Sequence, residues 1–337
     1  MRRLQSLFAL LAGVAFVTCG PQSGSAPAGT AAAIVAPGPS LLERIPDAPL
    51  TRAYRGTRRV TFRYDIEGQA QTTAYEEHVA SDGAGRFQVR TTELHQPPLS
   101  GEALEFFLVR QQAYESFFYL HRDFRIRSLP LFLQNYTLRQ GPVANSVAGR
   151  ESVAFAIRPR VAGGSSYRAE VDVETGLILR WKEWNPLGVL IADVEFTEFT
   201  LDPDLTGVEL NSPSLQTVAL DLEGDVVGQI GFQVSRPRFV PQGYRAMKSE
   251  KVTVASSSWA RLTYGNGVEQ LFYLFQAPAA GTMPNTSVNG SSNGADSITL
   301  SQVGPWTAAS GQVGGRRYIV MGKVSDTTLL DMIQSAL

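Results

Sequence analysis

Three histidines, His78, His95 and His121, and one cysteine, Cys19, carry all the imidazole and thiol chemistry of this 337-residue chain. Nucleophilic and metal mechanisms draw heavily on those groups, at spacings that a turn or a strand can bring together. Here the histidines stand alone, with no HxxxH, HExxH or His–Cys spacing. One cysteine excludes an intrachain disulfide and a cysteine-cluster zinc site. Gly163-Gly164-Ser165-Ser166 reads as a loop before a strand and lacks the Gly-x-Ser-x-Gly form of a nucleophile elbow. No glycine loop of the phosphate-cradling kind is present. Glu76-Glu77 falls in a strand pattern, where neighbours face opposite sides, so it does not make an acid–base pair. Arg125 and Arg127 read as solvated charge. The residues predict a protein that is not an enzyme and uses no metal and no cofactor.

Charge narrows the partners. Thirty basic residues against 31 acidic ones leave a formal net charge of −1. That balance argues against a nucleic-acid partner, whose phosphates would need neutralising. Hydrophobic residues make up 43 %, which suits a folded chain. At roughly 150 residues per domain, the length predicts about two domains.

If the chemistry is binding, the elements that shape a binding surface matter most. Residues 1–18 read as a signal peptide: Arg2-Arg3, then an apolar run to Val17. At about 14 residues that run is shorter than the ~20 a permanent span needs. Cys19 at its end resembles the lipidated cysteine of a bacterial lipoprotein, although Phe16 and Thr18 depart from the usual box. An ordinary signal cut near Ala26 or Ala28 is the alternative. Residues 19–50 read as a flexible tether, rich in Pro, Gly, Ser and Ala up to Pro39.

From Arg58 the pattern has period two, with Val60, Phe62, Tyr64 and Ile66 alternating with polar residues, as in a half-buried antiparallel strand. Further strands are expected near Thr72–Val79 and Phe87–Val89. After Pro97-Pro98, Ser100 can cap a helix carrying Phe106 and Phe107. From Tyr136 to Phe196 the chain returns to a meander that includes Phe155 and Trp181. The fold class is α+β. The layout fits a solid core or a half-open β-barrel that takes an acyl chain. Residues 213–337 read as a smaller α+β domain. Gly265-Asn266-Gly267 makes its hairpin turn, residues 277–302 form a flexible insertion, and Ser325 starts a closing helix. The sequons at Asn285 and Asn289 read as products of composition.

A string of short motifs resembles a known family. Asn135-Tyr136, Val147-Ala148-Gly149-Arg150, Val171-Asp172 and Glu174-Thr175-Gly176-Leu177 occur in the order found in the N-terminal domain of the periplasmic sigma-E regulators RseB and MucB. That domain is itself similar to the carriers LolA and LolB. Pro241-Gln242-Gly243-Tyr244, Leu262 to Gly267 and Tyr318 to Gly322 resemble the same regulators' C-terminal domain. The resemblance implies an antiparallel half-open barrel with a helical lid at 51–212. It also implies lipid or lipoprotein acyl chains as ligands, lined by Phe62, Tyr64, Phe106, Phe107, Phe155, Trp181 and Phe196. The implied protein partner is the periplasmic region of a membrane anti-sigma factor. The implied place is the periplasm, with membrane attachment through Cys19. The long insertion and the anchor are departures. A LolA/LolB-type carrier and a ligand-free structural lipoprotein are the alternative readings.

Overall fold

The computed structural model describes residues 40–66, 68–210, 217–254, 257–277, 297–303 and 305–337. The expected signal, Cys19, the first part of the tether, both sequons and most of the insertion lie outside the described residues.

Residues 41–50, expected to belong to the tether, include regular structure. Leu41–Arg44 (α1) and Ala48–Thr51 (α2) are short helices. Ser40 and Glu43 form a reciprocal capping box that starts α1. Arg44 donates to the carbonyls of Val173 and Glu174, and Ile45 and Ala48 are buried. The segment is therefore part of the folded body, held by contacts about 130 residues away in sequence.

Two antiparallel sheets follow. The first contains β1 (Tyr54–Ile66), β2 (Gln69–Ser81), β3 (Phe87–Gln96), β4 (Tyr136–Val147), β5 (Arg150–Pro159), β6 (Ser166–Asp172), β7 (Ile178–Trp184) and β8 (Leu190–Leu201). Its order is β3-β2-β1-β8-β7-β6-β5-β4. β3 and β4 are edges that do not pair with each other, so the sheet does not close into a barrel. Alternation places Val60, Phe62, Val153, Phe155, Ala169, Trp181 and Val194 in one buried cluster. Between β3 and β4 the chain forms α3 (Gly101–Phe117), a π-helical turn (Phe118–Arg122) and α4 (Leu129–Asn135). Phe124, Ile126 and Phe132 from this stretch pack into the same cluster.

The second sheet contains β9 (Thr217–Ala219), β10 (Arg245–Val254), β11 (Ser257–Gly265), β12 (Gln270–Gln276), β13 (Ser297–Val303), β14 (Trp306–Val313) and β15 (Arg316–Gly322). Its order is β13-β14-β15-β12-β11-β10-β9. Leu262 lies opposite Tyr273 and Tyr264 opposite Leu271, the pairing that the hairpin pattern predicts. The turn between them is longer than a two-residue loop: it runs over Asn266–Glu269, and the Asn266 side-chain oxygen accepts from the Val268 and Glu269 amides. Ser297–Val303, expected within the insertion, is an edge strand paired with β14. Its serines and threonine suit an edge with a wet side, which hides it among loop-like residues. The closing helix α6 (Asp326–Ser335), capped by Ser325, buries Leu329, Met332 and Ile333 at helical spacing. They share a cluster with Leu262, Tyr264, Leu271 and Tyr273 on one face of this sheet. Val226–Ile230 (α5) adds Val226 and Ile230 to it.

Candidate binding surfaces and the junction between the sheets

Phe62, Phe155, Trp181 and Phe196 share the inner face of the first sheet and are buried. Phe62 and Trp181 lie with ring centroids 6.3 Å apart. Tyr64 is half-buried, and its hydroxyl lies 2.8 Å from that of Thr73. Phe107 packs edge-on to Tyr75 at 6.4 Å. Phe106 turns away and is 54 % exposed. The seven aromatic residues therefore do not form one lining. A void of about 40 Å³ lies beside Trp181 and Phe196. That is room for a water or two, far below the several hundred Å³ that usual ligand sites offer.

The inner face also carries charge. Arg58 stands opposite Glu77 across β1 and β2. Arg58 Nε donates to Glu77 Oε1 at 2.5 Å, and Arg122 Nη2 donates to the same oxygen at 2.6 Å. Asp123 completes the group, with Arg58 Nη1 at 2.7 Å and Arg122 Nε at 2.9 Å. All four side chains are at most 7 % exposed. The guanidinium of Arg122 also lies over the Phe62 ring, 5.5 Å from its centre. Burial alone would raise the Asp123 carboxyl, but the charges of Arg122 and Arg58 overcome that and hold it at about 2.

A second buried group joins the two sheets. The Asn266–Glu269 turn enters the first sheet's core, where Val268 is 2 % exposed among Phe124, Tyr136 and Tyr167. Asn135 Nδ2 donates to the carbonyls of Gly243 and Asn266. Tyr167 donates to Glu269 Oε1 at 2.7 Å. Lys323 reaches across to Glu183 Oε2 at 2.9 Å and Glu269 Oε1 at 3.3 Å. Burial pushes the Glu183 carboxyl up, against the pull of Lys323. Burial lowers the Lys323 ammonium, but Glu183 and Glu269 outweigh it and raise it. Gly267 has φ +100°, and a Cβ there would meet the Phe132 amide nitrogen at 2.4 Å. Only glycine fits that approach.

Two clefts flank the junction. One of about 560 Å³ is lined by residues of both sheets, among them Tyr136, Glu183, Tyr244 and Lys323. The other, about 340 Å³, has His121, Arg125, Ile126, Arg127, Met247 and Phe272 on its walls. Arg127, expected as solvated charge, is half-buried and donates to the carbonyls of Val268, His121 and Asp123. Burial and the nearby Arg125 lower its guanidinium to about 10.

Sequence spacing points to no metal set. Among the described residues, pairing of β2 with β3 brings Glu76, Glu93 and His95 together, with donor atoms within 4.8 Å of one another. They are on the outer side of the sheet, and Glu93 and His95 are exposed. Their two-strand register is the only signal that could have found them. Among the described residues no helix is long and apolar enough to cross a membrane.

The family described as the MucB/RseB N-terminal domain matches residues 39–214, just over half of the chain. The sigma factor AlgU regulatory protein MucB of Pseudomonas aeruginosa is 28 % identical over 189 residues, 53 % of each protein. The chain thus spans about half the length of that curated relative. A crystal structure of MucB in complex with MucA(peri) is 20 % identical, covering 88 % of this chain and 96 % of that one, with TM-score 0.48. The complex structure of Pseudomonas aeruginosa MucA/MucB is 21 % identical with the same coverage and TM-score 0.47.

Proposed function

The chain belongs to the MucB/RseB family, and from that premise we propose that it is a periplasmic binding protein that engages the periplasmic region of a membrane anti-sigma factor. Through that contact it regulates an extracytoplasmic sigma factor. The family match over 39–214 carries this reading, together with the regulatory name of the curated relative. The construction of the body is consistent with it. Lys323, paired with Glu183 and Glu269, ties the two sheets together, an arrangement suited to presenting a shaped surface to another protein. The strongest test is biological: deletion of the gene raises the activity of the cognate sigma factor, measured on a promoter reporter, and complementation lowers it again. A reporter that does not respond to deletion contradicts the proposal.

Lipid sensing and membrane attachment are the finer parts of the reading. We propose that Cys19 is lipidated and that residues up to 39 hold the body near the membrane. The inner face of the first sheet is the surface for an acyl chain, with the stretch from Phe118 to Asn135 as its helical lid. An acyl chain there takes the volume of Phe124, Ile126 and Phe132, which pack against that face. Each methylene buried contributes about 0.8 kcal/mol.

A further inference from the structure

We propose that His121 is an acid-sensitive latch between the two sheets: the docked arrangement accommodates the neutral imidazole, and proton uptake loosens the second sheet from the first. This goes beyond the regulatory reading and does not depend on any lipid.

The geometry carries it. His121 belongs to the π-helical turn after α3, and it is 4 % exposed. Two of its contacts reach the other sheet. Nδ1 lies 2.7 Å from Gln270 Oε1 on β12, and the ring stands edge-on to Phe272 at 4.8 Å. With the amide oxygen as acceptor, Nδ1 carries the single proton of the neutral ring.

The charges around it among the described residues are mostly positive. Arg125 and Arg127 come from its own stretch, and Arg261 and Lys248 come from β11 and β10. The acids lining the same cleft are Glu250, already paired with Arg261 at 2.7 Å and Lys248 at 2.5 Å, and Asp47, while Glu269 and Asp123 act on Arg127. A proton on His121 adds a fifth positive charge to this set inside a low-dielectric junction. Burial and the charge of Arg127 accordingly keep the imidazole well below its usual 6.5.

The sign follows from linkage. Separated sheets expose the imidazole, which then takes up a proton near 6.5, whereas the docked form does not. Docking is at full strength above that value and weakens as pH falls through it, by up to tenfold per pH unit. Glu183 acts in the opposite sense, because its raised carboxyl binds a proton more readily in the docked form. The His121 contribution is therefore read as a difference between wild type and His121→Gln.

One amide reports on docking directly. The Arg127 N–H donates to the Gly267 carbonyl of the second sheet at 2.8 Å. Hydrogen exchange of that amide in the mature full-length chain, corrected for intrinsic rate, is followed from pH 7.5 to 5. The expected result is that protection falls below pH 6.5 by several-fold to tenfold more in wild type than in His121→Gln. Profiles of the same shape in wild type and His121→Gln overturn the proposal. Should His121→Gln fail to fold, imidazole NMR of wild type decides: titration of His121 more than one unit below 6.5 supports the latch, and titration at or above 6.5 overturns it.

Discussion

His121 and Arg122 are consecutive in the chain and are buried against different sheets. His121 Nδ1 lies 2.7 Å from Gln270 Oε1 of the second sheet, while Arg122 Nη2 donates to Glu77 Oε1 of the first at 2.6 Å. One short stretch between β3 and β4 therefore fills the inner face of the first sheet and meets the second. Both belong to the helical turn at Phe118–Arg122, where successive side chains point in different directions and so can face different sheets.

Breaking the buried ion group has a predictable cost. Arg122→Ala leaves Glu77 and Asp123 buried with only Arg58 between them. The expected loss is about 3–5 kcal/mol in chemical denaturation. A loss under 1 kcal/mol would mean that the group is hydrated in solution.

The same group sets an acid limit. Asp123 is depressed from 3.8 to about 2, so its contribution is present above 3.8 and is lost as pH falls through about 2. Acid unfolding of wild type should steepen in that interval. Asp123→Asn, less stable at neutral pH, should lose less there; equal slopes for both proteins would contradict this assignment.

Gly267 tests the fit of the turn into the first sheet. Gly267→Ala places a Cβ 2.4 Å from the Phe132 nitrogen and forces an alanine to φ +100°. The backbone term alone is about 1–3 kcal/mol. Thermal unfolding should show the loss, and hydrogen exchange should place it at Arg127 and Val268. An unchanged melting temperature would mean that the turn is not inserted.

Phe132→Ala tests where an acyl chain would go. Removing a fully buried phenylalanine costs about 3–5 kcal/mol and leaves a cavity on the inner face. A fluorescent fatty acid should bind this variant more tightly than wild type, with quenching of Trp181 on the same face. Tighter binding without any effect on Trp181 would place the lipid elsewhere.

Local pattern made much of this molecule legible. The alternation of Val60, Phe62 and Tyr64 gave β1, the Leu262/Tyr264 and Leu271/Tyr273 pairs gave a hairpin register, and Leu329, Met332 and Ile333 gave the closing helix. What stayed hidden depends on partners far away in sequence. Lys323 meets Glu183 across 140 residues, and His121 meets Gln270 across 149. No spacing rule encodes such pairs, because sheet packing sets them. The helix at Leu41–Arg44 was hidden differently: its Ser40/Glu43 box follows a Pro- and Ala-rich run whose composition suggests a tether. The inner-face aromatics were legible as apolar, but the Arg58–Glu77 pair among them needed the strand register.

Binding of an anti-sigma factor is measured by calorimetry. The protein is titrated with the purified periplasmic region of the membrane anti-sigma factor from the same genome. The expected result is a saturable complex, with micromolar or tighter affinity. No heat and no co-elution at tens of micromolar of both proteins would contradict it.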